Sequence, residues 1–166
     1  MRILVSDTSV LIDLERGAVL DSCFKLPFEF AVPDLLYTRE LAEFGGPQLV
    51  VKGLRVEELT SDEVATAQTV RNAHPKLSLP DAFAYVLASA RGWTLLTGDG
   101  ELRTLAQAQQ VPFFGVLWVF DQLFDQQTIE VVMIVAGLEA IAAHPRCRLP
   151  RAEIEARLAR YGKATK

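Results

Sequence analysis

Four segments of the chain each supply one carboxylate: "VSDTSVLIDL" with Asp7, "VPDLLYTREL" with Glu40, "LSLPDAFAYVLA" with Asp81 and "LLTGDGELRTLA" with Asp99. Acids in such places either finish helices or gather round a cation. Aspartate is a preferred helix N-cap, so Asp7 before the pattern Thr8 to Arg16, and Asp99 before the pattern starting near Glu101, can each be a cap and nothing more. Asp81 has capping-box spacing from Ser78, and a carboxylate in a first turn suits the helix dipole. Glu40 is harder to place. On a helix over Pro33 to Phe44 it falls in the apolar stripe of Leu36, Tyr37, Leu41 and Phe44, while Asp34, Thr38, Arg39 and Glu43 take the opposite face. A carboxylate there needs an ion-pair partner, an edge that reaches water, or a cation.

Converged at one site, the four acids could not all ionise unaided, because like charges push protons back on. A divalent ion removes that conflict, and all-oxygen ligands select a hard one, Mg²⁺ or Mn²⁺, over zinc. His74 and His144 have no partners at ligand spacing. Cys23 and Cys147 form neither a C-x-x-C pair nor a disulfide framework, so the expectation is a reduced, cytoplasmic protein. No signal-peptide pattern opens the sequence. The most apolar stretch, Ile129 to Ala143, carries Glu130 and Glu139 and falls short of the ~20 residues of a membrane span, so no membrane partner is expected.

The elements that must position these acids alternate. Strand-like runs at Ile3 to Ser6, Phe30 to Val32, Leu49 to Val51, Thr94 to Thr97 and near Pro112 to Val116 are separated by helical patterns at Thr8 to Arg16, Pro33 to Phe44, Ser61 to Ala73, Pro80 to Arg91 and Glu101 to Gln109. Alternation predicts α/β class: a three-layer α/β/α sandwich with a central parallel sheet. Asp7 and Asp99, each following a strand, then share the edge beyond the carboxyl ends of the strands, where ligands bind in such sheets. Past Val116 the pattern is helical, over Leu117 to Gln127, Ile129 to His144 and Pro150 to Tyr161. One domain over 1–166 is expected, with a core of about 1–116 and a helical extension of about 117–166.

The net charge of -4 gives no general pull toward nucleic acid, yet it is uneven: from His144 to Lys166 seven Lys or Arg face only Glu153 and Glu155. The tail is either a phosphate-binding segment on an acidic body or a solvated amphipathic helix with Glu153 and Arg157 paired at i,i+4.

At these motifs the sequence resembles the PIN-domain family of metal-dependent nucleases, which includes the ribonuclease toxins of VapBC-type toxin–antitoxin pairs. The match runs over roughly Arg2 to Val116, and the tail is similar to a branch of the family with extra C-terminal helices. The resemblance implies that Asp7, Glu40, Asp81 and Asp99 line one pocket as catalytic metal ligands for Mg²⁺ or Mn²⁺, that RNA is the substrate, and that the protein pairs as a homodimer, with an antitoxin as a further partner. Asp7 and Asp99 would hold the principal ion, Glu40 and Asp81 completing its shell or holding a second. Ser9 and Thr97 would be the supporting hydroxyls, Ser9 being otherwise an ordinary first-turn hydroxyl of its helix. Arg146, Arg148, Arg151, Arg157 and Arg160 are candidate contacts to RNA phosphates. Competing readings are a catalytically silent PIN-like RNA-binding or protein-interaction module, a DNA-directed nuclease, and a phosphoacceptor receiver domain, which would need a lysine after a late strand and a second acid beside the first.

Overall fold

A computed structural model describes residues 1–164. Five strands, β1 (Arg2–Ser6), β2 (Phe28–Pro33), β3 (Arg55–Glu57), β4 (Thr94–Leu96) and β5 (Phe113–Phe114), form one sheet in the order β3-β2-β1-β4-β5. Every pairing is parallel, with Leu4 opposite Phe30 and Thr94, and Val5 opposite Ala31 and Leu95. The order reverses at β1, whose two neighbours are reached by crossovers in opposite directions. The crevice beyond β1 and β4 is therefore the switch point at which open parallel sheets bind ligands.

Side chains alternate across the sheet and build a core on each face. On one face Leu4, Phe30, Val32 and Leu96 pack with α1 (Thr8–Arg16), α2 (Leu20–Cys23), α8 (Val116–Asp125), α9 (Val131–Ala143) and α10 (Arg151–Lys163). On the other, Val5 and Leu95 meet α5 (Ser61–Ala73), α6 (Leu79–Arg91) and α7 (Gly100–Ala108). The C-terminal helices are part of the first core, since Ile134, Leu138, Ile141, Ile154 and Tyr161 are buried in the same cluster as Leu4. The approach of α9 to α1 is backbone on backbone: a Cβ on Gly137 would stand 2.5 Å from the carbonyl oxygen of Gly17, the C-cap of α1. Only glycine lets the two helices close to that distance.

The sandwich agrees with the alternating pattern, and the exceptions have local causes. Leu49 to Val51, expected as a strand, lies in helix α4 (Gly46–Lys52), which starts from Gly45 in the left-handed region with Pro47 in its first turn and stops at Gly53, also at positive φ. Those glycines and the proline punctuate a short helix, and Val51 is 87% exposed, so its apolar run reflects no sheet. The edge strand is instead Arg55–Glu57, whose polar residues carried no strand signal. The expected helix from Pro33 begins one residue later, Pro33 being the last residue of β2. Helix α2 went unread because it is a single turn. No helix among the described residues is long and apolar enough to cross a membrane.

Candidate active site

Two of the four acids, Asp7 and Asp99, sit where a strand hands the chain to a helix, and a third, Asp81, lies in the first turn of α6. Asp7 ends β1: its N–H donates to the Leu96 carbonyl at 3.0 Å, and its carboxylate then caps α1 by accepting from the Val10 N–H at 2.9 Å. Asp99 repeats the device after β4, accepting from the Leu102 N–H at 2.9 Å. Asp81 completes a capping box with Ser78 at the start of α6. The cap and the metal-ligand interpretations of these three are compatible, because capping takes up only part of each carboxylate.

Glu40 is positioned differently. The segment from α3 (Asp34–Leu36) runs into a π-helical turn over Tyr37–Leu41, in which the Ala42 N–H donates to the carbonyl of Tyr37 at 2.8 Å. The wider turn breaks the 3.6-residue periodicity on which the single apolar stripe depended. Leu36 and Leu41 stay buried, whereas Phe44 is 77% exposed and is no part of that stripe. Glu40 is half-buried, and its carboxylate accepts from the Thr8 hydroxyl, the residue next to Asp7. Thr8 drew no notice in the sequence; its place beside the first acid was the available signal.

Asp7 is only 3% exposed and is surrounded by donors. Its Oδ1 accepts from the Ser9 hydroxyl at 2.9 Å as well as from Val10, and its Oδ2 accepts from the Thr97 hydroxyl. Thr97 Oγ1 in turn accepts from the Asp99 N–H at 3.0 Å, so one buried hydroxyl ties the two strand-end acids together. Burial pushes the Asp7 carboxyl above its ordinary range, the hydrogen bonds pull it back, and the charge of Asp81 raises it further. Asp81 is also raised, chiefly by burial and in addition by the charge of Asp99. Asp7 thus feels the charge of Asp81, and Asp81 that of Asp99, while Glu40 is linked to this group through Thr8.

No lysine, arginine or histidine among the described residues pairs with any of the four. A buried acid whose neighbours are other acids is short of positive charge, and oxygen donors of this kind suit a hard divalent ion. The donor chemistry therefore fits Mg²⁺ or Mn²⁺. Among the described residues no three His, Cys, Asp or Glu side chains already stand as a ready-made cage. Asp81 acts on Asp7 and Asp99 on Asp81 by charge, and the Thr97 hydroxyl joins Asp7 to the Asp99 backbone, whereas Glu40 is reached only through Thr8.

Two clefts flank the start of α1. One, of about 940 Å³, is bordered by Thr8, Glu40, Leu11, Ile12, Phe44 and Leu49. The other, of about 550 Å³, joins Ser9, Thr97 and Asp99 to the α9–α10 connection. Of the five tail arginines, Arg146, Arg148 and Arg157 border this second cleft, and Arg151 and Arg160 do not. Arg157 and Arg160 are held by Asp121 of α8, at 3.0 and 3.2 Å, and Arg160 also pairs with Asp125 at 2.5 Å. The expected Glu153–Arg157 side-chain pair is absent; Arg157 reaches the Glu153 backbone carbonyl instead. The carboxylate of Asp121 lies between two arginines and the Tyr161 hydroxyl and outcompetes a more solvated partner.

A reversed-order parallel sheet with Asp7 and Asp99 at its switch point, neither ion-paired among the described residues, defines an α/β/α protein with an acidic crevice. A family model described as the PIN domain matches residues 3–163, and the chain belongs to that family, whose members are in general nucleases. The match takes in the C-terminal helices as well as the sheet. No curated protein is similar enough in sequence to count as a match.

Proposed function

We propose that the protein is a divalent-metal-dependent endoribonuclease. The observation that carries this reading is Asp7: buried, raised by its surroundings, coupled to Asp81, which in turn feels Asp99, and ion-paired with no cation among the described residues. Asp7 and Asp99 would hold the principal ion, with Asp81 and Glu40 completing its surroundings. When bound, that ion supplies positive charge against the phosphate oxygens and lowers the pKa of water to the range of a usable nucleophile. The chain's own residues do the rest. Ser9, Val10 and Thr97 fix both oxygens of Asp7, Leu102 fixes Asp99, and Ser78 fixes Asp81, so the carboxylates need no reorganisation as charge develops. Thr8 holds Glu40 at the rim. The hydroxyls beside these acids, Thr8, Ser9 and Thr97, all donate to carboxylates and serve to hold them, and water is the nucleophile in this reading.

The test is incubation with single-stranded RNA and DNA in Mg²⁺, Mn²⁺ or EDTA. RNA cleavage that EDTA abolishes, and that Asp7→Asn and Asp99→Asn both lack, is expected; cleavage surviving either substitution would exclude these acids. Action as a toxin under the control of an antitoxin, and pairing with a second copy, belong to the same proposal. Exposed Phe44, Val50 and Val51 provide an apolar surface for such contacts, and co-expression survival and sedentation by ultracentrifugation test them.

A further inference from the structure

We infer that the cleft between Asp99 and the α9–α10 connection is a track for single-stranded nucleic acid, holding the strand by its phosphates and bases as it passes the acids. The inference deepens the nuclease reading and rests on it for the identity of the site. Its ground is a division of labour among the residues that border the cleft. Arg16 and Arg157 on its wall are occupied by Asp13 and Asp121, whereas Arg103, Arg146 and Arg148 are exposed and form no ion pair among the described residues. Of the cleft's carboxylates Asp13 already has Arg16, Asp99 belongs to the acid site, and only Glu153 stands opposite the free guanidinium groups. The outer cleft is therefore net positive beside a negative centre, which draws a polyanion across the acids.

The same wall is aromatic. Phe113, Phe114 and Trp118 border the cleft and are half-buried, with the Arg2 guanidinium over Phe114 and Trp118. Phe114 and Trp118 are stacked at 4.1 Å between centroids, and the Arg103 guanidinium lies 5.5 Å from the Phe113 centroid. Aromatic rings interleaved with unpaired arginines along a groove suit a strand whose bases are free to stack. A duplex keeps its bases stacked on one another and cannot offer them to a wall inside a cleft. An acidic peptide would satisfy the arginines but leave the rings unused.

The test is fluorescence anisotropy of a labelled single strand of roughly 12 nucleotides, in EDTA so that nothing is cleaved, over a series of salt concentrations. The triple variant Arg103→Gln, Arg146→Gln, Arg148→Gln changes only exposed side chains; it is expected to bind at least about 10-fold more weakly and to lose about 2 units of salt slope, from ~0.7 per phosphate contact. Phe113→Ala is expected to weaken binding about 5- to 100-fold with the slope unchanged. Arg71→Gln, an exposed arginine of α5 away from the cleft border, should change neither. Unchanged affinity and slope in the triple variant would overturn the inference, as would preference for a duplex of the same sequence or equal competition by poly-glutamate. Cleavage assays separate this from the function itself. If RNA is cut in an Asp7-dependent way and the triple variant leaves KM unmoved, the track fails and the nuclease stands. If the strand binds through the cleft but no metal supports cutting, the track stands and the nuclease fails.

Discussion

Asp7 and Asp121 are both largely buried aspartates held by several donors, yet their partners differ in kind. Asp121 lies between Arg157, Arg160 and the Tyr161 hydroxyl, which donates to it at 2.5 Å. Its negative charge is matched inside the chain, and its work is to fasten α10 to α8. Asp7 has hydroxyls and a backbone amide around it and no ion-pair partner among the described residues, and the charge that acts on it is that of Asp81. Hydrogen bonds alone orient a carboxylate without neutralising it. A buried acid matched by arginine is a fastening, and one matched only by neutral donors beside a further acid is the place where the proposed ion would bind.

Exchanging these roles is the largest test. Asp7→Asn should abolish cleavage by on the order of 100-fold or more, since even partners of a metal ligand cost 10- to 100-fold when removed, while the metal-free protein melts no lower than the wild type. Rapid cleavage by Asp7→Asn would end the contrast. Thr97→Val, which removes the hydroxyl shared by Asp7 and Asp99, should cost about 10- to 100-fold in kcat with a near-normal fold by circular dichroism. Asp121→Asn should do the reverse, leaving cleavage within a few-fold but lowering stability by about 1–3 kcal/mol in urea unfolding, because two arginines lose their counter-charge and the group loses one of its two acceptor oxygens.

Gly137→Ala probes the tail without touching a charge. Its methyl meets the Gly17 carbonyl at 2.5 Å, so the helices must separate, at a cost of about 1–3 kcal/mol in the same assay. The smallest effect is a pH dependence measured in EDTA. The folded pKa values of Asp7 and Asp81 are raised, so the stability they contribute is fully present below the unfolded carboxylate value of about 4 and is lost as pH rises through each folded value. The urea midpoint of the wild type should therefore fall relative to Asp7→Asn over that rise, and added Mn²⁺ should close the gap. A gap that persists unchanged in Mn²⁺ would show that the ion does not answer the charge of Asp7.

The sheet and its acids were legible because strand-end aspartates coincide with helix starts, and those starts obey local capping chemistry that a sequence displays. Asp7, Ser9, Thr97 and Asp99 fall within short segments, and their hydrogen bonds span few residues or join two adjacent strands. Glu40 was only half legible. Its apolar surroundings could be read from spacing, but the π-helical turn that re-aims it leaves no periodic trace, and its partner Thr8 lies 32 residues away. The tail misled for a related reason. Arg157 has an acid at i−4, and local pairing was the natural guess, but Asp121, 36 residues earlier, wins by geometry that only tertiary packing creates. The short helix at Gly46–Lys52 shows the same limit on a smaller scale, since glycine and proline punctuation overrode an apolar run.

The bare contact of Gly17 with Gly137 gives α1 a second office. That helix begins at Asp7 and ends against α9, so it is a stiff rod about 14 Å long at ~1.5 Å per residue, with the acids of the proposed site at one tip and the appended bundle at the other. Anything that prises the bundle loose should be registered at the far tip without a single side chain to relay it, and the Gly137→Ala protein should reveal this as slower cutting by molecules that are still folded.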